Sequence, residues 1–386
     1  MSKLAARTPT GRGRRVLLRI GSTLLVFVVL LGIARAILPR VIRGYVNRTI
    51  DRNPLYSGEI GDVKIHLWRG AYSIHDVRLN KTTGNVPVPL FASKRVDFSI
   101  EWAALMHGRV VGRVVMEQPE LNFVDAGDES EAQTGAGGPW LQMIRDLFPF
   151  KINSAIIRDG SIHFRGFNSK TPVDVYLSQV MASVDNLTNI RDENNPLVSK
   201  VRATALAMDQ AKFEYNMTLD PFSYRPTFHM ATRVLGLDVT KINDLALAYG
   251  KFDFKRGWFD LVVEAHAKEG QLSGYAKPLF RNLKVFSLTQ DLKEDNVLQF
   301  FWQALVGAVT QVFKNQRRDQ FGTLIPFSAD LSAATTTDVL ATIANVLRNA
   351  FVRAYLPRLE PGTVDYGGLH FEAPDISEPV SSGDTS

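Results

Sequence analysis

The side chains with the widest chemical range in this chain are its seven histidines, because imidazole binds metal ions and transfers protons near neutral pH. They are His66, His75, His107, His163, His229, His266 and His370. No two of them have the H-x-H or H-x-x-x-H spacing that places two metal ligands side by side. Four of them lie in runs of alternating polarity, where His66 and His163 have the parity of the polar residues. We interpret the histidines as solvated surface residues and predict no metal site.

Motifs for nucleophilic or phosphate chemistry are absent from the sequence, which has no G-x-S-x-G elbow, no Walker A motif and no strand-anchored G-x-G-x-x-G. The absence of cysteine excludes disulfides, thiolate metal sites and cysteine nucleophiles. Asp220 precedes a proline, which indicates a turn. Asp253 and Asp260 alternate with apolar residues, as carboxylates do on the outward face of a sheet. We therefore predict a protein that is not an enzyme and has no cofactor.

The positive charge is concentrated at the start of the chain. Residues 1–50 hold ten of the 45 basic residues and no acidic residue. The remaining 35 basic residues face 39 acidic ones, so the rest of the chain has a net charge of −4. A basic N-terminal region favours anionic lipid headgroups. No basic excess remains for nucleic acid, and we predict no nucleic-acid partner.

An apolar segment follows this basic start. Residues 20–34 are uncharged, and the extended segment 16–38 makes about 23 residues, or roughly 34 Å of helix. Arg19 and Arg35 lie near its ends, where long basic side chains reach the headgroups. The segment predicts a single transmembrane helix that ends at Pro39, with residues 1–15 as a basic cytoplasmic tail.

A cleaved export signal is the alternative interpretation of the same segment. Ala34-Arg35-Ala36 has a small-x-small form, and Arg14-Arg15 resembles a twin-arginine signal. A charge inside the cleavage site and the apolar residues beyond it favour the uncleaved anchor. Both alternatives place the bulk of the chain outside the cytoplasm.

From residue 56 onward, short runs alternate between apolar and polar residues, and turn residues separate them. The fold class is therefore mainly β, with a large antiparallel sheet over residues 45–290. The pattern also predicts a hairpin over 251–264 with its turn at Gly257. The segments that break the pattern are a flexible loop at 125–139, a short helix at 140–148, a helical and strand segment at 291–373 with amphipathic helices near 296–315 and 338–356, and a disordered tail at 374–386.

Such a sheet has one apolar face that another layer, helices or a ligand must cover. A closed core is one possibility, and a groove that holds acyl chains is the other. The candidate groove residues share the parity of the apolar positions in their strands. They are Ile162, Phe164, Val175, Leu177, Phe213, Tyr215, Met217, Leu219, Phe252, Phe254, Leu261 and Val263.

The order and spacing of several segments resemble the AsmA-like superfamily of bacterial envelope proteins, which includes bridge-like lipid-transfer proteins. The segments are 105–123 (LMHGRVVGRVVMEQPELNF), 156–164 (IIRDGSIHF), 219–221 with 270–279 (GQLSGYAKPL), and 346–354 (VLRNAFVRA). The resemblance implies an inner-membrane anchor, a periplasmic taco-shaped sheet and a role in moving phospholipid or assembling the outer membrane. Some twelve strands give a sheet of roughly 60 Å, which is short for bridging an envelope. A scaffold protein with a closed core and an envelope protein partner is the alternative function.

Overall fold

The computed structural model describes residues 11–51, 56–66, 70–82, 86–100, 111–125, 151–167, 171–187, 197–220, 223, 225–250, 252–287, 320–322, 324–331 and 374. One long helix, α1, spans Gly11–Asp51. The first seven strands are β1 (Tyr56–Glu59), β2 (Val63–His66), β3 (Ala71–Lys81), β4 (Phe91–Ile100), β5 (Val111–Asp125), β6 (Lys151–Gly166) and β7 (Val173–Asp185). The others are β8 (Ser199–Ala207), β9 (Ala211–Leu219), β10 (Phe228–Asp238), β11 (Phe252–Lys268), β12 (Gln271–Ser287), β13 (Gln320–Gly322) and β14 (Ile325–Asp330). The prediction of a mainly β chain is confirmed.

Within the described residues, all 14 strands form one sheet, in the order β1-β3-β4-β5-β6-β7-β8-β9-β10-β11-β12-β13, with β2 on β3 and β14 on β12. Neighbouring strands are antiparallel except β5 and β6, which are parallel. The prediction of an antiparallel sheet is therefore wrong at this pair, and the sheet is mixed. Parallel neighbours need a crossover of a dozen or more residues. Segment 126–150 is long enough to be that crossover.

The strand register gives the sheet an apolar and a polar face, because directly opposed residues point to the same side. We call the side that carries Ile74, Phe98, Val114, Ile162 and Met217 the apolar face. The opposite side is the polar face, and its charged residues pair across the strands. Its ion pairs include Glu117 with Arg158, Arg165 with Asp174, and Glu214 with Arg233.

Four of the five neighbouring strands β3 to β7 each have one residue in the left-handed backbone region at the same level of the sheet. Asp76, Gln118, Asp159 and Gln179 have φ values of 52°, 50°, 52° and 51° and are all exposed. Asp159 and Gln179 coincide with register shifts in the β6–β7 pair. Such bulges bend the strands that contain them. We call this row, on β3, β5, β6 and β7, the crease.

The end of α1 packs on the sheet. Ile42, Val46 and Ile50 recur every four residues, so they lie on one side of the helix. They join a core cluster with Ile74 and Phe98 of the apolar face. Helix α1 continues through Pro39 to Asp51, so the predicted end at Pro39 is wrong. An internal proline costs about 3 kcal/mol, and burying three large apolar side chains, at about 1.5–3 kcal/mol each, offsets that cost.

A second cluster closes the apolar face at the other end of the sheet. It contains Phe228, Leu272, Ile325, Phe327 and Leu331. Strand β14 contributes Ile325 and Phe327, which alternate with exposed residues. The described part of the apolar face is therefore packed at both ends of the strand order.

The predicted hairpin over 251–264 is wrong, because β11 runs unbroken from Phe252 to Lys268. Gly257 lies in an irregular stretch of the β11–β12 register, with a φ of 144°. A Cβ atom at this position would lie 2.8 Å from Leu283 Cδ1. The glycine permits a bulge and a close strand contact, which a sequence pattern does not distinguish from a turn.

A helical connection joins β10 to β11 and folds back against β7. It consists of a 3-10 turn (Val239–Ile242), one α turn (Asn243–Leu245) and a π turn (Ala246–Gly250). The Asp238 side chain accepts a hydrogen bond from the Thr240 N–H at 3.0 Å and caps it. Asn243 donates to the Phe254 carbonyl at 3.0 Å and accepts from the Phe254 N–H at 2.7 Å.

Several predicted segments lie outside the described residues: the loop at 125–139 apart from Asp125, the short helix at 140–148, both C-terminal helices, and the tail after residue 374. Among the described residues, no helix combines the length and the apolar composition needed to cross a membrane.

Candidate functional site

The strand register brings ten of the twelve predicted groove residues to the apolar face. Ile162 lies opposite Leu177, and Phe164 lies opposite Val175. Leu177 lies opposite Ala207 of β8, which lies opposite Ala211 of β9, and this links the two groups of candidates. Phe213, Tyr215, Met217 and Leu219 follow along β9, and Leu261 and Val263 belong to the same face through β10.

Eight of these residues, on β6, β7 and β9, are half-buried. They are Ile162, Phe164, Val175, Leu177, Phe213, Tyr215, Met217 and Leu219. Between β7 and β9, strand β8 presents Val201, Ala203, Ala205 and Ala207 on this face. These side chains are shorter than those that β7 and β9 present on either side, so the apolar face is lowest, in the sense of least raised by side chains, along β8. We call this region, on β6 to β9, the central apolar surface.

Two of the remaining candidates, Val263 and Phe254, are buried and do not line an accessible groove in the structure. Val263 is 5% exposed in the cluster around Leu272 and Phe327, and Leu261 is half-buried against this cluster, as are Met217 and Leu219. Phe254 is 2% exposed and lies beyond the register shifts of β11, where Asn243 binds its backbone. Strand parity could not reveal this, because a bulge changes which residues face which side. The structure does not describe the side chain of Phe252.

The central apolar surface carries a hydroxyl group at Tyr215. Its Oη donates to the sulfur of Met217 at 3.1 Å. Burial raises the pKa of Tyr215 to about 12, so the phenol is neutral and can donate at physiological pH. Thr232 of β10 lies directly opposite, and its hydroxyl donates to the Glu214 carbonyl at 3.0 Å. The sequence pattern identified Tyr215 as an apolar position, and it gave no signal that Thr232 would be its neighbour.

His163 lies on the polar face, as its position in the alternating sequence predicted. Its Nδ1 lies 2.8 Å from Asp174 Oδ1, and Arg165 binds the same carboxylate at 3.2 Å. His66 is exposed on β2. Among the described residues, no group of three or more His, Asp or Glu side chains could hold a metal ion.

Asp260 corrects another sequence interpretation, because it is 4% exposed and not a solvated outward residue. It accepts a hydrogen bond from the Gly236 N–H at 2.6 Å. Its other oxygen lies 2.9 Å from Arg281 Nη2. Buried carboxylates require such partners, and these ones tie β10, β11 and β12 together near their bulges.

In comparisons with known proteins, no protein-family model and no curated protein sequence matches the chain.

Proposed function

We propose that this protein holds the acyl chains of membrane phospholipids on its central apolar surface and is attached to a membrane by α1. The observation that carries the proposal is the contrast along one sheet face, which is packed at both ends, whereas eight large apolar side chains of β6, β7 and β9 between these ends are half-buried. A half-buried apolar surface gains free energy from any apolar occupant that excludes water from it. The acyl chain is the apolar component that a membrane supplies.

The size of the possible gain is adequate for binding. Each methylene removed from water contributes about 0.8 kcal/mol, so ten buried methylenes give about 8 kcal/mol. That free energy corresponds to a dissociation constant of about 1 μM before ordering costs are subtracted. Carriage of lipid therefore requires no enzymatic chemistry and no cofactor.

An exposed apolar stretch of α1 supports attachment to a membrane. Its apolar side chains between Ile20 and Ile37 that are described in the structure are between 49% and 65% exposed. Exposed apolar surface on this scale marks a membrane or partner contact. Together with the basic residues around it, this exposed segment supports our proposal that α1 attaches the chain to the bacterial inner membrane, with the sheet in the periplasm. The AsmA-like resemblance agrees with this arrangement and with a role in outer-membrane lipid homeostasis.

The direct test is lipid extraction and native mass spectrometry of the full chain expressed in a bacterial envelope. Met217→Asp places a charge on the apolar face, whereas Thr218→Asp places the same charge on the polar face of the same strand. We expect stoichiometric phospholipid in the wild type and in Thr218→Asp, and little in Met217→Asp, with similar circular dichroism for all three. A wild-type protein that acquires no phospholipid even from liposomes would exclude lipid carriage.

A scaffold with a protein partner is the second candidate, and the packed clusters at both ends of the apolar face favour it. It predicts a lipid-free protein and a reproducible cross-link to one envelope protein. Cross-linking in intact cells, with a photoreactive residue at position 217 and at position 218, separates the two functions. Cross-links to lipid from position 217 support carriage, and cross-links to one protein support the scaffold.

The anchor has its own test. Intact mass of the exported protein shows whether the N-terminal segment is retained, which distinguishes an anchor from a cleaved signal. Replacing Leu25 and Val28 with Asp should release a retained protein from the membrane fraction under alkaline extraction, because charges in an apolar bilayer segment cost about 2.5–3.5 kcal/mol each. Unchanged membrane association of this variant would contradict attachment through α1.

A further inference from the structure

The hydroxyl group of Tyr215 is placed unusually for a strand that otherwise presents apolar atoms to this face. Strand β9 directs Phe213, Tyr215 and Met217 to the apolar face. The residues opposite Tyr215 are Ala203 on β8 and Thr232 on β10. Ala203 is small, so the neighbour of the tyrosine ring on the β8 side is a methyl group.

The hydrogen-bond partner of this hydroxyl group is a weak one. Tyr215 Oη donates to the thioether sulfur of Met217 at 3.1 Å, and a thioether is a poor acceptor compared with a carbonyl oxygen. A desolvated hydroxyl usually binds a strong partner, because burial without one costs free energy. A better acceptor that reached this surface would displace the sulfur at little cost, since Met217 is a flexible side chain.

Thr232 does not compete for the same role. Its hydroxyl hydrogen is directed at the Glu214 carbonyl oxygen, 3.0 Å away. On the described apolar face of β9 and β10, Tyr215 is therefore the side chain with a hydroxyl hydrogen that a ligand can take over.

We propose that the Tyr215 hydroxyl binds an acyl carbonyl oxygen of the ligand and so makes this protein selective for acyl compounds over plain alkyl chains. This inference rests on the proposed function, since it requires an apolar ligand on the central apolar surface. The hydroxyl donates to the carbonyl oxygen, and the hydrocarbon chain extends from that point along the low strand β8. Tyr215 acts as a specificity-determining residue, and no covalent step is involved.

Two ligands carry this chemistry, the ester of a phospholipid and the carboxyl group of a free fatty acid. Ester-linked and ether-linked phospholipids with the same headgroup and chain length differ at the carbonyl oxygen and form a matched pair. Palmitate and hexadecanol form a second pair for the free acid. The affinity of the full chain for each is measured by displacement of a fluorescent fatty-chain probe.

We expect the wild type to bind one acyl member of these pairs about five- to tenfold more tightly than its partner, which is the effect of one neutral hydrogen bond. Tyr215→Phe should remove this preference, because it weakens binding of the acyl compound more than binding of the ether lipid or the alcohol. Tyr176→Phe removes a hydroxyl from the polar face, where it binds Asp209, and should keep the preference. If the preference appears between the ester-linked and ether-linked lipids, the bound acyl group belongs to a phospholipid; if it appears between palmitate and hexadecanol, it belongs to a free fatty acid.

An infrared measurement distinguishes a direct hydrogen bond to the ligand from a purely structural role of Tyr215, because a structural role would not change the carbonyl frequency. With a carbon-13 label at the acyl carbonyl, the stretching frequency of bound ligand should be lower in the wild type than in Tyr215→Phe. An unchanged frequency, or an acyl preference that persists in Tyr215→Phe, overturns the inference and leaves lipid binding intact. A wild-type protein that binds neither the lipids nor the fatty compounds overturns the proposed function, and this inference with it.

Discussion

Gln118 and Asp159 meet across the parallel pair of strands, where Gln118 Nε2 donates to Asp159 Oδ2 at 3.0 Å. Both residues are in the left-handed backbone region, with φ values of 50° and 52°. The hydrogen bond thus joins two members of the crease on adjacent strands. Four residues with a side chain in this strained region, at one level of the sheet, indicate that bending here is a built-in feature of the fold.

The crease predicts an unusual order of stability for glycine and valine. A left-handed conformation costs an L-residue about 1–2 kcal/mol and a β-branched one more, whereas glycine adopts it without that cost. At Gln179, we expect the Gly variant to be more stable than the Val variant by about 2 kcal/mol in urea unfolding of the full chain. At Thr218, an extended residue of β9, the order should reverse, because valine favours strands and glycine does not. The same order at both positions would contradict the assignment of the crease.

The end of α1 predicts a contrast between two isoleucines of one helix. Ile50 is 2% exposed in the core cluster, whereas Ile37 is 52% exposed. Ile50→Ala should lower the free energy of unfolding of the sheet by about 2–4 kcal/mol, because it leaves a cavity. Ile37→Ala should change it by less than about 0.5 kcal/mol. Equal effects in thermal unfolding in detergent would mean that α1 does not pack on the sheet as described.

The carboxylate of Glu264 predicts a pH-dependent stability. The hydrogen bond from Tyr275, and then that from His229, lowers the pKa of Glu264. A lowered carboxyl pKa stabilises the fold above the unfolded value of about 4.5, and the contribution is lost as the pH falls through the folded pKa. Tyr275→Phe should therefore lower the stability by about 1 kcal/mol at pH 7, with a gap that narrows as the pH falls below the unfolded value and through the lowered folded pKa. Melting curves between pH 3 and pH 8 test this, and a constant gap would contradict it.

The helical connection of residues 239–250 depends on Asn243. Its side chain makes two hydrogen bonds to the backbone of the buried residue Phe254. Asn243→Ala should lower the stability by about 2 kcal/mol, since it deprives a buried peptide of two partners. It should also speed hydrogen exchange of the Phe254 amide. The neighbouring exposed residue provides the control, and Asp244→Ala should leave both quantities nearly unchanged.

Much of the sheet could be predicted from one strand at a time. Alternation along β9 placed Phe213, Tyr215, Met217 and Leu219 on one side of the sheet, since side chains in a strand have a period of two. The same argument placed His163 on the polar face. It failed at Gly257 and Phe254, because a bulge inserts a residue and shifts the parity of the residues beyond it.

Alternation also could not rank the apolar positions by their accessibility. Val263 and Met217 have the same parity, yet Val263 is buried within the cluster closed by β14, whereas Met217 packs against that cluster half-buried. The difference comes from residues more than fifty positions away in the sequence, which no local pattern contains. The parallel pairing of β5 with β6 and the packing of Ile50 on the sheet are of the same kind.

The sequence by itself determined that the chain forms strands with one apolar side and that a basic, apolar segment precedes them, because both properties are local. The tertiary structure decided which part of the apolar side remains half-buried, through the two clusters that pack its ends. It also placed Tyr215 beside Met217 and opposite Thr232, since register between strands sets which polar atoms meet. Strand pairing and packing join distant parts of the chain, and the proposed binding surface is a product of both.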